Sequence, residues 1–489
     1  MSRNMPRNLL FYLGVLLVFG AGIWLILDYG SQLKPSAAAV AEAAAPAAQA
    51  AAPAAPGRPG GVLQGLLGNL HHPLSLLLLQ VVVIVVAARS LGSVFRKIGQ
   101  PPVIGEMVAG ILLGPSLLGW VAPAAQSFVF PAGSLEPLRL LSQVGVILFM
   151  FVVGIELNLD HLRDKADAAV MVSHASIVLP FFLGTAVALF LYGPLAPAGV
   201  PFSAFALFIG VSMSITAFPV LARILEERGI ARTHLGTTAI ACAAVDDLTA
   251  WCLLAVVVAI VKAGGVGASL WTIGLSVLFI AGMVFLVRPQ LARIAEKAIP
   301  SNGKSSGFLA ALFALVFASA LATEVIGIHA LFGAFLAGVC MPPSRELRQF
   351  LRERLETFSS AFLLPLFFAF TGLRTQIGLL NDWLGWLMCL GIIAVAIAGK
   401  LGGSMAAARW TGMSWSDSFS LGALMNTRGL VELIVLNIGF DLGILSPRIF
   451  AMLVLMALIT TFMTGPLVGL VEWVRRRQTA LAAQPETAG

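Results

Sequence analysis

Runs of about 20 predominantly apolar residues follow one another along a chain of 489 residues. An α-helix needs roughly 20 such residues to cross the hydrocarbon layer of a membrane. Only 11% of the residues are charged and 59% are hydrophobic, whereas soluble domains are about 25% charged. This composition excludes a soluble enzyme, a nucleic-acid-binding protein and a disordered chain, and it predicts an all-α polytopic membrane protein. One leading helix and thirteen further spans are predicted, near residues 9–27, 73–94, 102–118, 138–158, 168–192, 202–226, 234–262, 268–287, 307–323, 327–341, 358–374, 383–410, 417–438 and 446–473.

Lysine and arginine residues are distributed unequally between alternate loops. If the residues before the first span are cytoplasmic, 22 of the 30 lysines and arginines fall in cytoplasmic segments and 6 in external ones, while Lys400 and Arg428 lie within spans. Cytoplasmic loops of membrane proteins carry an excess of these residues. The sequence therefore predicts a multi-pass protein of the bacterial inner membrane, with a short cytoplasmic tail at 475–489.

The first 72 residues differ from the rest of the chain. Residues 1–30 predict an N-terminal transmembrane helix or signal anchor, with a cleaved signal peptide as the alternative, because Arg3 and Arg7 precede the apolar run. Residues 31–72 form an Ala/Pro-rich linker. The main transmembrane domain is predicted at 73–474. The sequence has no phosphate-binding G-x-x-x-x-G-K-[ST] motif, so we expect no cofactor and an ion gradient as the source of energy.

Three ionisable residues lie well inside predicted spans. Asp246 and Asp247 are adjacent in the span 234–262, and Lys400 lies near the middle of 383–410. An ionisable group at membrane depth is costly and indicates a functional site. Neighbours on a helix point about 100° apart, so one aspartate can face a basic side chain while the other faces an ion pathway. Lys400 is the expected partner of one aspartate, and its small neighbours Gly399, Gly402 and Gly403 allow another helix to approach closely.

Two spans are interrupted by polar residues and proline. Broken helices at membrane depth are tolerated where protein or a water-filled cavity surrounds them. Six spans, one connecting span and six more give two halves of inverted orientation, and the interrupted span is the fifth of each half. Matched interrupted spans indicate the substrate site of a secondary transporter. The candidate residues are Ser214, Thr216 and Pro219 in the first half, and Asn426, Thr427 and Arg428, with Glu432 in support, in the second.

Other polar residues give less indication of a functional site. Glu106, Glu156, Glu324 and His329 lie near the ends of spans, where interfacial or structural roles are expected. No Ser/His, His/Glu or metal-ligand constellation lies within the spans, and the sequence therefore predicts that the protein is not an enzyme.

Several motifs, in order along residues 73–473, resemble those of the monovalent cation:proton antiporter-2 family, and in particular its cation/proton exchanger branch. They are Gln100–Glu106, Gly110–Ser116, Ser214–Arg223, the Asp246-Asp247 helix, Leu366–Leu373 and Met425–Leu433. The resemblance implies a 13-helix inverted-repeat antiporter fold with two broken crossing helices, to which the leading helix is an addition. It also implies a homodimer in which one group of helices in each subunit, the core, moves against a second group, the panel.

The resemblance assigns roles to the ionisable residues. Asp247 is similar to the aspartate that binds the transported cation or a proton, Asp246 to its neighbour that pairs with a lysine, and Lys400 to that lysine. The broken helices are expected to cross near Thr216 and Thr427.

These observations predict a secondary antiporter that exchanges Na⁺ or K⁺ for H⁺ and serves pH homeostasis. Exchange is expected to be electrogenic, because a cation that competes for Asp246 would free Lys400 to release a proton in addition to that of Asp247. The alternative is a gated potassium efflux system or cation channel on the same fold.

Overall fold

The computed structural model describes residues 5–33, 69, 72–156, 166–262, 266–298, 306–342, 344–356 and 358–482. The regular elements in these ranges are all helical. Most of the predicted Ala/Pro-rich linker and the last residues of the predicted tail lie outside the described residues.

The first half of the described chain contains the leading helix and the first six spans. The fifth of these spans is divided in two by three extended residues, 215–217. Besides two short helices at Leu118–Val121 and Pro123–Val129, the helices are α1 (Met5–Gly30), α2 (Pro73–Lys97), α3 (Pro102–Leu113), α4 (Leu135–Glu156), α5 (Ala166–Leu195), α6 (Phe202–Ser214), α7 (Phe218–Glu227) and α8 (His234–Lys262).

The second half repeats this arrangement after a connecting helix. Its fifth span is divided at 426–429, and the two parts are bent by 42°. The helices are α9 (Val266–Gly282, continuing through Met283–Val287 to Arg288–Ala298), α10 (Ser306–Ile326), α11 (Ala330–Val339), α12 (Arg345–Leu351), α13 (Leu364–Arg374), α14 (Trp383–Trp410), α15 (Trp415–Met425), α16 (Leu430–Asp441) and α17 (Pro447–Ala482).

The predicted spans correspond to helices of the structure. Twelve helices in the described ranges are long and apolar enough to cross a membrane, and thirteen if α15 and α16 count as one broken span. The adjacent short spans predicted at 307–323 and 327–341 correspond to α10 and the ten-residue α11. The structure confirms an all-α, multi-pass membrane fold.

Glu324 and His329, which the sequence places near the ends of spans, lie at the junction between α10 and α11. The Glu324 carboxylate accepts a hydrogen bond from the Ala330 amide at 2.8 Å. His329 has a φ of 88° and precedes α11, and its Nδ1 accepts from the Leu331 amide at 3.4 Å. Both residues therefore satisfy amide groups at the start of α11, which have no partner within the helix.

The helices pack into two groups. The panel bundle contains α2, α3, α4, α11 and α13, and the core bundle contains α5, α6, α8, α14, α15 and α17. The broken span α15–α16 and the broken span α6–α7 belong to the core bundle. The leading helix α1 packs on α5 of the core bundle, where the rings of Phe19 and Phe182 are 5.1 Å apart.

Candidate functional site

The two broken spans meet at their interruptions. The Ala217 amide donates to the Thr427 carbonyl at 2.9 Å, and the Thr216 hydroxyl donates to the Met425 carbonyl at 2.9 Å. Pro219 occupies the first turn of α7, where a missing amide hydrogen costs nothing. The two extended segments thus provide hydrogen-bond partners for some of each other's backbone groups. They bring four helix ends together in the middle of the core bundle.

A fully buried ion pair lies beside this crossing. Lys400 Nζ is 2.9 Å from Asp246 Oδ2, and both side chains are 0% exposed. Ser176 on α5 connects the two residues, because its hydroxyl donates to Asp246 Oδ1 at 3.0 Å and its carbonyl accepts from Lys400 at 3.0 Å. Lys400 also donates to the carbonyl of Ser214, the last residue of α6. The lysine therefore holds α5, α6, α8 and α14 together.

Asp247, the neighbour of this pair, has different surroundings. It is 0% exposed, and neither carboxylate oxygen accepts a hydrogen bond from the described residues. The side chain of Asn426, at the second interruption, also has no partner there through either its nitrogen or its oxygen. Buried polar groups in proteins are nearly always paired, and a carboxylate with amide oxygens is a typical donor set for hard cations. Asp247 and Asn426 are therefore two buried oxygen-bearing side chains next to the ion pair and at the interruption that remain available to a ligand.

A second buried ion pair supports the crossing. Arg428 Nη1 is 2.9 Å from Glu432 Oε2, one turn along the chain, and both side chains are 0% exposed. The same guanidinium donates to the carbonyls of Ser212 at 2.7 Å and Met213 at 2.8 Å, near the end of α6. Arg428 thus satisfies carbonyls that the broken helix leaves without an intrahelical partner. We interpret Arg428 and Glu432 as residues that hold the interruption together.

A cavity of about 1260 Å³ separates the two bundles on one side of the crossing. Pro219 of α7 and Leu430 of α16 lie in its wall, so the cavity reaches both broken spans. Glu106 also lines it and is only 6% exposed, which is deeper than the interfacial position suggested by the sequence. The other charged lining residues are Arg89, Arg96, Arg223, Glu226, Arg348 and Glu353. These residues belong to segments predicted to be cytoplasmic or next to them.

The bundles are in contact at the opposite end. Arg374 at the end of α13 donates to Asn437 Oδ1 at 3.0 Å and to Asp441 Oδ1 at 2.5 Å, both on α16. The Asn437 amide in turn donates to the Thr371 hydroxyl at 2.8 Å. These polar contacts join panel to core where the sequence predicts the external face. The structure is therefore open towards one face and closed towards the other.

Ser176, Asn437 and the Arg374 contacts were not predicted from the sequence. A serine within an apolar helix was the available signal for Ser176. That signal is weak, because many membrane serines only bond to their own helix.

The chain matches the family model described as sodium/hydrogen exchanger, transmembrane, over residues 81–472. It is 46% identical over 396 residues to the Na⁺/H⁺ antiporter NhaS4 of Synechocystis sp., covering 81% of this chain and 97% of that protein. It is 40% identical over 419 residues to cation/H⁺ antiporter 20 of Arabidopsis thaliana, covering 83% of this chain and 50% of the relative. It is 33% identical over 425 residues to K⁺/H⁺ antiporter 1 of Saccharomyces cerevisiae, covering 84% of this chain and 48% of the relative. The chain thus spans about half the length of the plant and yeast relatives.

The fold is similar to that of the sodium proton antiporter MjNhaP1 from Methanocaldococcus jannaschii. The TM-score is 0.59 at 15% identity, and the match covers 82% of this chain and 97% of that one. From the extent of the family match and the identity to relatives of similar length, the chain belongs to the sodium/hydrogen exchanger family, whose members are membrane transporters and not enzymes.

Proposed function

We propose that the protein is a secondary antiporter that exchanges a monovalent cation, Na⁺ or K⁺, for H⁺. The observation that carries the proposal is the fully buried Asp246–Lys400 pair next to Asp247, whose carboxylate oxygens have no partner among the described residues. Relatives named as Na⁺/H⁺, K⁺/H⁺ and cation/H⁺ antiporters support it. Because these names include both ions, the choice between Na⁺ and K⁺ requires measurement.

Asp247 is the proposed binding group for cation and proton in turn. A buried carboxylate is costly as an isolated charge. Either a proton or a monovalent cation removes that cost, and the two cannot occupy the same oxygen together. Exchange follows from this competition if the site opens alternately to the two sides. Asn426 and Thr216 are proposed to contribute oxygen atoms at the crossing.

Lys400 is proposed to carry a second proton. Its ammonium group is compensated by Asp246 at 2.9 Å. A cation bound at Asp247 would compete for Asp246, and an uncompensated ammonium in the core would then give up its proton. One cation would thus exchange for two protons, and each cycle would move net charge.

The proposed orientation follows from the loops and the cavity. The cavity lined by Glu106 and several arginines opens towards the Lys/Arg-rich side, which we assign to the cytoplasm. The Arg374 contacts close the opposite side. We therefore assign this conformation as inward-facing, in a homodimer of the bacterial inner membrane with a cytoplasmic C-terminus.

Reconstitution into proteoliposomes tests the proposal. The vesicles contain a pH-sensitive dye and receive pulses of LiCl, NaCl, KCl or RbCl, with protein-free vesicles as the control. We expect Na⁺ or K⁺ to move protons in the opposite direction, with a rate that saturates as the cation concentration rises. Uptake of a radioactive cation tracer without a dye response would instead indicate a channel, and neither uptake nor a dye response with any of the four ions would contradict the proposal.

A further inference from the structure

Three buried serine hydroxyls have no hydrogen-bond partner within the described ranges: Ser173 on α5, Ser404 on α14 and Ser418 on α15. Each of the three residues is 0% exposed. Other buried hydroxyls of these helices usually donate to a carbonyl, and Ser420 does so to Ser416 at 2.9 Å. Leaving a buried hydroxyl unpaired costs roughly 1–3 kcal/mol. Three such groups therefore need a physical explanation.

The three serines lie in one region of the core bundle. Ser173 is three residues before Ser176, and Ser404 is four residues after Lys400, so each shares a helix face with a member of the buried network. The helices are closely packed here, because a Cβ added at Gly403 would lie 3.0 Å from the Ala175 carbonyl. Ser173 and Ser404 therefore flank the same α5–α14 contact.

Ser418 lies in the same region, nearer to the end of the core bundle at which α15 begins. It is one turn before Gly422, where an added Cβ would lie 2.7 Å from the Leu401 carbonyl. Helix α5 begins, α14 ends and α15 begins at this end, which is the one assigned to the cytoplasm. Ser404 lies about 6 Å along α14 from Lys400 in that direction, at 1.5 Å per residue.

We propose that Ser173, Ser404 and Ser418 hold ordered water and form a route for protons between Lys400 and the cytoplasmic end of the core bundle. This inference rests on the proposed function, because it concerns how Lys400 exchanges its proton. The route is distinct from the cavity between the bundles, whose lining includes none of the three serines. The cation and the proton would thus reach the site by different paths.

The chemistry of the three groups suits protons better than cations. A hydroxyl both donates and accepts a hydrogen bond, and a buried water makes about three. A proton leaves Lys400 Nζ for the adjacent water, and that water passes one of its own protons to the next. The same number of protons enters and leaves each water. Apolar side chains that include Val172, Ala407 and Leu421 form a cluster in this region, and such side chains offer a bare cation no ligand.

Direct observation of water is the first test and does not depend on transport. A density map of the wild-type protein, at a resolution that shows ordered water, should contain a water within hydrogen-bond distance of each of the three hydroxyls. Ser420 on α15 is the internal control, because its hydroxyl is already paired. Hydroxyls that donate to carbonyls of their own helices, with no water beside them, would overturn the proposal.

Transport by a triple variant is the second test. Ser173→Ala, Ser404→Ala and Ser418→Ala together remove the water-binding groups, and Ser420→Ala is the matched control. The three hydroxyls have no protein partner among the described residues, so their removal leaves no protein group unpaired and should not destabilise the fold. Loss of activity would therefore not reflect unfolding. We expect the maximal exchange rate to fall by about 100-fold, the lower end of the contribution of an assisted proton transfer. The half-saturating Na⁺ concentration should remain that of the wild type, because Asp247 is unchanged.

The outcomes separate this inference from the proposed function. If wild-type protein exchanges cations for protons and the triple variant matches its rate, the water route is refuted and the antiport function stands. If wild-type protein shows no proton-coupled exchange, the proposed function fails first. A triple variant that binds Na⁺ more weakly at an unchanged maximal rate would also refute the route, because the serines would then act on the cation site.

Discussion

Neutralising both members of the Asp246–Lys400 pair should destabilise the protein by less than the sum of the two single neutralisations. The two charges are 2.9 Å apart and fully buried. At an effective dielectric constant of about 20, their attraction is about 6 kcal/mol, and desolvation of both groups opposes it. Removing one charge leaves the other buried without compensation. We therefore expect Asp246→Asn and Lys400→Gln each to lower the free energy of unfolding by about 3–5 kcal/mol.

The double variant carries two neutral amides in place of two charges. An asparagine at 246 and a glutamine at 400 can still exchange hydrogen bonds with each other and with the Ser176 carbonyl, which accepts from Lys400 at 3.0 Å. Its loss of stability should therefore be smaller than the sum of the two single losses, by about 3 kcal/mol.

Unfolding in mixed micelles, titrated with sodium dodecyl sulfate and followed by tryptophan fluorescence, measures these differences. The control is the Glu136–Arg139 pair, whose atoms are 2.5 Å apart but whose side chains are 59% and 31% exposed. Its coupling energy should stay below about 1 kcal/mol. If the buried pair gave a coupling as small as that of the control, our reasoning that opposite charges stabilise the site would be refuted.

Four further results are expected. Asp247→Asn should remain folded but lose Na⁺-dependent proton movement in proteoliposomes, because an amide can neither release a proton nor balance a cation; exchange at the wild-type rate would exclude Asp247 from the mechanism. Wild-type Na⁺ exchange should respond to a membrane potential set with K⁺ and valinomycin, at about 2.3 kcal/mol per net charge per 100 mV, and Lys400→Gln should lose this response; equal wild-type rates at zero and inside-negative potentials would contradict electrogenic exchange. Arg374→Gln should weaken closure of the external side by about 1.5–3 kcal/mol, the contribution of a charged hydrogen bond, so that a cysteine replacing Ile438 reacts faster with an impermeant maleimide added outside; unchanged labelling would show that Arg374 does not hold the bundles together. Single cysteines placed after Arg477 should be labelled only from the cytoplasmic side, and labelling from outside would reverse the proposed orientation.

The positions of the spans, and the pairing of the buried Lys400 with an aspartate, could be predicted from the sequence. Hydrocarbon thickness sets the length of each apolar run. A lysine at membrane depth needs a carboxylate, and the sequence offers two adjacent ones, Asp246 and Asp247. The inverted arrangement of the halves followed from an odd connecting span, and the fold agrees with it.

Helix rotation and lateral packing were not predictable in the same way. A helix that is apolar on all sides carries little information about which face meets which neighbour. Gly399, Gly402 and Gly403 were all expected to permit close packing, yet only Gly399 and Gly403 lie against α5, while Gly402 faces open space. The rotation of α5 decides that Ser176 contacts both Asp246 and Lys400, and the rotation of α3 decides that Glu106 lines the cavity. Neither rotation could be predicted from the sequence.

The position of the leading helix offers a way to follow movement within a single subunit. Helix α1 packs on the core bundle, whereas α2, the next described helix of comparable length, belongs to the panel bundle. Any displacement of one bundle against the other must change the distance between these two helices. Trp24 on α1 and Val86 on α2 are 65% and 62% exposed, so both positions can carry a spectroscopic label without disturbing the interior. Energy transfer between such labels would record each transport cycle as a change in distance.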